Sequence, residues 1–319
     1  MKKVVVGIDV GGTNSAFGFV DKEGNILAQG NIRTDISDDF GEYLKSLTKE
    51  IYTIYSDISN DYEIAGFGIG APNGNYFKGT IENAPNLKWK GKIEFVRRLN
   101  EITGKPVYLT NDANAAAIGE KIFGKAKNMN DFVVITLGTG LGSGIYCGGR
   151  LLYGYTSQAG EVGHIIVKEN GRLCGCGRRG CLEKYASATG IKITALEFLK
   201  NSNQKSLLRN YNENQIDSKL IYDCALRNDE MAMRCFEFTG EVLGKALANL
   251  IAVLSPEAIF LFGGLALSGD LILKPVRKYC EDYLLNIFKG SVKIELSGLK
   301  ENSAAILGAA ALCYSESDI

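Results

Sequence analysis

A single histidine, His164, stands in the 319 residues of this chain. Any metal site must therefore take its other ligands from elsewhere. The residues after it, Ile165-Ile166, lack the His-x-Glu signature of zinc deaminases. Net charge is missing as well: Lys plus Arg number 36 and Asp plus Glu 36. Without a basic excess there is no electrostatic footprint for duplex nucleic acid. No apolar run is long enough for a membrane span. The N-terminal MKKVVVGIDVGG resembles a signal peptide only at first, because Asp9 breaks its apolar run and no small-residue cleavage site follows; it reads as a strand. Eight cysteines do not make a disulfide scaffold in a chain this long. Cys147, Cys224, Cys235, Cys280 and Cys313 sit among apolar neighbours and are expected to be buried free thiols, in a cytoplasmic protein. Hydrophobic residues make up 45% and charged residues 23%, enough to bury a core in one large domain or two ordinary ones.

The common nucleotide signatures are absent too. Gly138-x-Gly140 meets Ser143 where a GxGxxG needs glycine. Gly119-x4-Gly124-Lys125 ends on Ala126 rather than Ser or Thr, and lies in a helical pattern. Two glycine hairpins are present instead. Val4 to Ile8 leads through Asp9 into Gly11-Gly12-Thr13-Asn14 and a second strand, Ser15 to Val20. Residues 132 to 147 repeat this as FVVIT, then Gly138-Thr139-Gly140-Leu141-Gly142-Ser143-Gly144, then IYC. Aligning Gly11 with Gly138 sets Asp9 opposite Thr136. Glycine turns let backbone N–H groups close around phosphate oxygens, and two in register suggest a duplicated α/β architecture with a cleft between the halves.

The densest chemistry lies between Glu161 and Glu183. His164, Cys174, Cys176 and Cys181 fall within eighteen residues, with glycines at 171, 175, 177 and 180 that let the loop fold tightly. Imidazole and thiolates at this spacing fit a tetrahedral zinc site. Four protein ligands close the coordination sphere, so the metal is read as a structural clip. Glu161 and Glu183 flank the clip, either as residues it fixes in place or as solvated glutamates.

Elsewhere, apolar periodicity predicts helices over residues 39–57, 92–103, 113–123, 188–200, 229–254, 270–287 and 303–314. Strands are expected at 66–70, 106–110, 258–262 and 292–297. The tail SESDI is expected to fray. Pro72-Asn73-Gly74-Asn75 is a turn, and Asn83 and Asn86 bracket Pro85 near Trp89. Such asparagines are turn formers that can also bind sugar hydroxyls. Asn111-Asp112 stands between a strand and a helix. Asp112 there either caps the helix or presents a carboxylate to the ligand crevice at the C-terminal ends of parallel strands. Gly263-Gly264 leaves a buried strand where a ligand can approach the backbone. No low-complexity linker divides the chain.

These motifs, in this order along the whole chain, resemble the ROK family (repressor, open reading frame, kinase), and within it the bacterial-type glucokinases. The resemblance rests on Asp9-x-Gly11-Gly12-Thr13-Asn14, Asn111-Asp112-Ala113-Asn114-Ala115, Gly138-Thr139-Gly140-Leu141-Gly142, Glu161-Val162-Gly163-His164, Gly263-Gly264 and the cysteine motif. It implies an actin-like ATPase (duplicated ribonuclease H-like) two-domain sugar kinase fold with a structural zinc loop. Residues 1–120 would form an N-terminal α/β domain, with a helix at about 303–319 packing back on it. Residues 121–302 would form a C-terminal α/β domain carrying zinc loop 161–183. Asp112 would be the general base, with Asn83, Asn86, Asn111, Glu161, His164 and Glu183 contacting a hexose. Gly11, Gly12, Thr13, Asn14, Gly138, Thr139, Gly140, Gly142, Gly263 and Gly264 would hold ATP, with Asp9 near Mg²⁺. His164, Cys174, Cys176 and Cys181 match the zinc ligands. A homo-oligomer, dimer or tetramer, is implied.

The expected reaction is phosphorylation of glucose to glucose 6-phosphate. Fructose, mannose or an N-acetylated hexosamine are the alternatives, because many members carry Pro-Gly and an acidic residue where this chain has Pro72-Asn73-Gly74-Asn75. The family also contains DNA-binding repressors. Here the first hairpin strand begins at Val4, so no helix-turn-helix is expected before it. A sugar-sensing regulator without catalysis is the further alternative.

Overall fold

Runs of β-branched residues build the strands at the centre of two separate sheets. The computed structural model describes residues 1–317, so the last two residues of the expected stretch 303–319, and of its tail, lie outside the described residues. The chain divides into two compact units. One comprises Met1–Met129, Leu151–Ala159 and Gly298–Ile319, the other Asn130–Arg150 and Gly160–Ser297.

The first unit begins with β1 (Lys2–Val10), β2 (Asn14–Val20), β3 (Ile26–Arg33), α1 (Phe40–Tyr55) and β4 (Tyr62–Gly70). Three short strands follow, β5 (Gly74–Asn75), β6 (Thr80–Glu82) and β7 (Lys92–Ile93), then α2 (Phe95–Thr103), β8 (Val107–Thr110) and α3 (Asp112–Ile122). The main sheet runs β3-β2-β1-β4-β8. β1 is antiparallel to β2 and parallel to β4, which is parallel to β8. Val4 to Val6 and Ile8 are fully buried, the continuous apolar reading of a strand covered on both faces.

The second unit holds β9 (Phe132–Leu137), β10 (Leu141–Cys147), the first residue of the short β11 (Arg150–Leu151), α4 (Ala188–Asn201), α5 (Ser218–Leu226), α6 (Glu230–Leu254), β12 (Ala258–Phe262), α7 (Asp270–Tyr283) and β13 (Lys293–Leu296). Its sheet runs β11-β10-β9-β12-β13, with β9 antiparallel to β10 and parallel to β12. The two units thus share one plan: a glycine hairpin whose first strand continues into two parallel neighbours. This is the duplicated, actin-like arrangement that the resemblance implied.

The chain ends with α8 (Glu301–Glu316), in the first unit. Ile306, Ala310 and Cys313 pack on Val5 and Val20 of the sheet. Two strand glycines admit this close approach: a Cβ on Gly7 or Gly68 would run into the α8 carbonyls of Ile306 and Ala309. On the opposite face, Tyr43, Leu44, Leu47 and Ile51 of α1 join Phe17, Phe67 and Phe95 in one core. The i, i+3, i+4 spacing of α1 aims those side chains to one side.

Three local expectations differ from the structure. Cys147 is exposed rather than buried, because it ends β10 at the Gly148-Gly149 turn instead of pointing into the sheet. The pattern over 92–103 opens with the strand β7, and its helix starts only at Phe95. The helix expected to reach 287 stops at Tyr283, where Leu284 turns extended and buries its side chain. Among the described residues no helix is long and apolar enough to cross a membrane.

Candidate active site and metal centre

In the first unit the candidate residues Asp9, Asn111 and Asp112 gather where the parallel strands end. Asp9 of β1 lies beside Gly70 of β4, and Gly70 beside Thr110 of β8. The next residues, Asn111 and Asp112, begin α3. The Asn111 side chain caps the helix, its Oδ1 accepting from the Asn114 N–H at 2.6 Å. Capping is therefore Asn111's task, and Asp112 is left at the first helical position with an exposed side chain. Its Oδ1 accepts the adjacent Ala113 N–H at 2.9 Å. Asp112 is both reachable by solvent and crowded by protein atoms. Accessibility governs what can approach it. The crowding weakens solvation of the charged form and raises its pKa above the usual carboxylate range.

Asp9 is more enclosed. Burial, and then the neighbouring Asp112 charge, push its pKa from 3.8 up to about 6. A carboxyl whose folded pKa is raised destabilises the native state when it ionises, so this loss grows as pH rises from about 4 to about 6. Asp9→Asn is accordingly expected to melt at the same temperature as wild type near pH 4 and above it at pH 7. Thermal melts across that range, without nucleotide or metal, check this; an unchanged difference between pH 4 and 7 would contradict it.

The first hairpin turn is closed by the Gly11 N–H donating to the Asn14 carbonyl at 3.0 Å. A Cβ on Gly12 would stand 2.8 Å from the Asn86 carbonyl, so this glycine seats the Asn83–Asn86 segment against the hairpin. Thr13 and Asn14 are exposed. Asn83 has φ +50°, and its carbonyl accepts from Asn73 Nδ2 at 3.3 Å. Asn75, in the turn that departs from the family pattern, is buried. Its amide donates to the Thr156 carbonyl at 3.3 Å and its Oδ1 accepts from the Lys78 N–H at 3.2 Å.

In the second unit the hairpin Gly138–Gly142 lies against Gly263. The Leu265 N–H reaches the Leu137 carbonyl at 3.1 Å. A Cβ on Gly263, at φ +97°, would meet the Leu137 backbone. A Cβ on Gly138 would meet nothing within 4 Å, so packing does not require that glycine; its N–H donates to the Gly140 carbonyl at 3.1 Å and its carbonyl accepts from the Ala188 N–H at 2.9 Å. Gly140 is different: its Cβ would lie 2.8 Å from Glu183 Oε2. Thr136, the counterpart of Asp9, accepts the Gly142 N–H at 3.1 Å and is spent inside the hairpin.

The cysteine loop closes as expected. The ligand atoms of His164, Cys174, Cys176 and Cys181 all lie within 4.8 Å of one another. Cys174 Sγ is 3.7 Å from His164 Nδ1, and Cys176 Sγ is 3.6 Å from Cys181 Sγ. Zinc–sulfur bonds of about 2.3 Å put tetrahedral neighbours about 3.8 Å apart, so the four residues fit one zinc ion with no position left for water. The Arg178 backbone N–H pulls the Cys176 thiol down to about 6, supplying a thiolate at neutral pH. The other face of the imidazole is free of the cluster: His164 Nε2 lies 4.0 Å from Glu161 Oε2. Glu161 is exposed, whereas Glu183 is mostly buried, its Oε1 3.0 Å from Cys174 Sγ, a contact that can be a hydrogen bond only while that thiol keeps its proton and not when it ligates zinc. Glu183 is thus packed beside the cluster, two residues after Cys181, rather than solvated. Arg172, in the same loop, carried no sequence signal: it reads as one more basic residue among glycines.

A model of the ROK family matches residues 5–316 of this chain. The chain is 32% identical over 313 residues to a glucokinase of Thermotoga maritima, covering 98% of this chain and 97% of that protein. It superposes with a TM-score of 0.80 on a ROK family glucokinase from Streptomyces griseus solved with glucose and AMPPNP, at 33% identity over 97% of this chain and 98% of that one. It is also 28% identical over 319 residues to a putative xylose repressor of Caldicellulosiruptor, covering 98% of this chain and 78% of that protein.

Proposed function

The chain belongs to the ROK family, and from that premise we propose that it is an ATP-dependent hexose kinase whose preferred acceptor is glucose, phosphorylated at the 6-hydroxyl. The observation that carries this reading is Asp112: a reachable carboxylate at a strand-to-helix junction, released from capping by Asn111. A protein that only bound sugar would have no use for a base there.

The chemistry follows from the side chains. Asp112 accepts the proton of the attacking hydroxyl as the bond to phosphorus forms. Its raised proton affinity suits that task, since a base must take the proton as well as point at it. Glu161 and Glu183 accept hydrogen bonds from pairs of hexose hydroxyls, as ionised carboxylates can. His164 turns Nδ1 to the zinc ligands and offers Nε2 to the sugar. Asn83, Asn86 and the remaining amide of Asn111 complete the hexose contacts. Gly11 to Asn14, Gly138 to Gly142 and Gly263-Gly264 hold the nucleotide at the backbone groups that the turns do not already pair. Asp9, a carboxylate beside the hairpin, fits the one or two protein ligands that Mg²⁺ takes when it binds with phosphates; bound there, Mg²⁺ would offset charge on the transferred group. Zinc is assigned to His164, Cys174, Cys176 and Cys181 as a structural ion. A homo-oligomer, dimer or tetramer, and a cytoplasmic location complete the proposal.

A hexose panel tests the acceptor. ADP release from ATP and Mg²⁺ is expected to show the highest kcat/KM with glucose, above mannose, fructose, N-acetylglucosamine and N-acetylmannosamine. A different best hexose would move the specificity and keep the reaction. Glucose binding without turnover of any sugar would favour the regulator reading that the xylose repressor relatives raise.

A further inference from the structure

The zinc ion can fix only one side of Glu183, since all four of its ligands precede that residue. What holds the other side is Arg172. Its side chain is 10% exposed, and each of its five guanidinium N–H groups has an acceptor. Nε and Nη2 grip both oxygens of Glu197 at 2.9 and 2.6 Å. Nη2 also donates to Thr194 Oγ1 at 3.0 Å, and Nη1 donates to the carbonyls of Lys184 and Gly190 at 2.6 and 3.2 Å. The guanidinium lies 4.5 Å from the centre of the Tyr185 ring, and the Tyr185 hydroxyl accepts the Arg172 backbone N–H at 2.8 Å. The grip therefore begins at Lys184, the residue after Glu183, and extends through Tyr185 to Gly190 and α4.

We infer that Arg172 is a positioning residue for hexose recognition, fixing Glu183 from its C-terminal side as the zinc cluster fixes it from the N-terminal side. This rests on the assignment of Glu183 to the sugar. The geometry calls for arginine specifically. A planar fork is needed to meet one carboxylate with two bonds while two further donors reach backbone carbonyls. Lysine keeps the charge and some of the packing but offers a single point of donation. Arg172 bonds to Lys184, Gly190, Thr194 and Glu197, while Glu183 and Ala188 adjoin Gly140 and Gly138, so its effect should fall most on hexose affinity and less on ATP.

The test uses Arg172→Lys, with Glu197→Gln as a milder second variant, in the full chain. Zinc content is expected to stay near one ion per chain. KM for the hexose is expected to rise about tenfold or more, the scale on which small misplacements of binding groups act, while KM for ATP and kcat move far less. Amide hydrogen exchange is expected to quicken at residues 182–186 and not at residues 174–178. Unchanged hexose KM and unchanged exchange in zinc-loaded variants would overturn the inference. So would an equal rise in both KM values with a lower melting temperature, which marks general destabilisation. If wild type itself turns over no hexose, the kinase reading fails on that result alone, and the exchange pattern still decides whether Arg172 holds this segment.

Discussion

Asp112→Ala is expected to lower kcat by about 10²- to 10⁴-fold, the usual contribution of a positioned general base, while hexose affinity changes far less. The expectation is sharp because the substitution leaves the scaffold alone. Asn111 supplies the helix cap, so α3 keeps its N-terminal hydrogen bond when Asp112 is truncated. The carboxylate gives up one local bond to Ala113, and its side chain is exposed, so no cavity forms. Asn114, two residues on, is buried and would report a disturbed helix by a lowered melting temperature. Steady-state kinetics beside calorimetric titration with glucose separates the two quantities. Equal loss of binding and turnover would mean that Asp112 holds the sugar rather than accepts its proton.

Removing the zinc should have the second largest effect. Structural zinc sites contribute apparent binding energies of about 10–16 kcal/mol in small domains that depend on them, and this loop has little core of its own. Leu173 and Ile166 are exposed, as is Cys176. That makes Cys176→Ala the informative substitution: it removes a ligand without opening a cavity, whereas Cys181 is fully buried and its loss would mix the two effects. The variant is expected to lose about one zinc per chain, melt at lower temperature, and bind hexose at least about tenfold more weakly, since ligands and their supports act on this scale. Elemental analysis, melting curves and sugar titration give the three readouts. Wild-type protein free of zinc, or a zinc-free variant with unchanged hexose binding, would refute the clip.

The parts of this molecule that were legible in sequence are those where one physical demand acts alone. The strands Val4 to Ile8 and Phe132 to Thr136 read correctly because burial on both faces leaves continuous apolar runs. α1 and α6 read correctly because each presents one apolar face at helical spacing. The cluster of His164 with three cysteines was legible because few other demands crowd thiols into a glycine-rich loop. β3 was not legible: it is an edge strand, half exposed, with polar residues and Gly30 along it. α5 was short and hidden by polar sequence, although Asp217 caps it by accepting from the Leu220 N–H at 2.8 Å.

Single residues divided along the same line. Asp112 was visible as a carboxylate at a junction, but sequence could not separate capping from chemistry, because adjacent Asn111 and Asp112 are both good caps. Three dimensions give the cap to Asn111. Gly140 and Gly12 were visible as glycines of the two hairpin turns. Their contacts with Glu183 and Asn86 were not, since those depend on segments distant in sequence. Arg172 was invisible for the same reason: its acceptors lie at residues 184, 190, 194 and 197, and nothing in its local sequence points to them.

The most direct test of the kinase reading is the fate of the phosphoryl group. Protein incubated with ATP, Mg²⁺ and glucose is followed by phosphorus NMR. The account expects the γ-phosphate signal to be replaced by a sugar phosphate ester at the 6-position in step with ADP, and expects Asp112→Ala to suppress both. ADP appearing with inorganic phosphate instead of the ester, or no ATP consumption in protein that binds glucose, would contradict it.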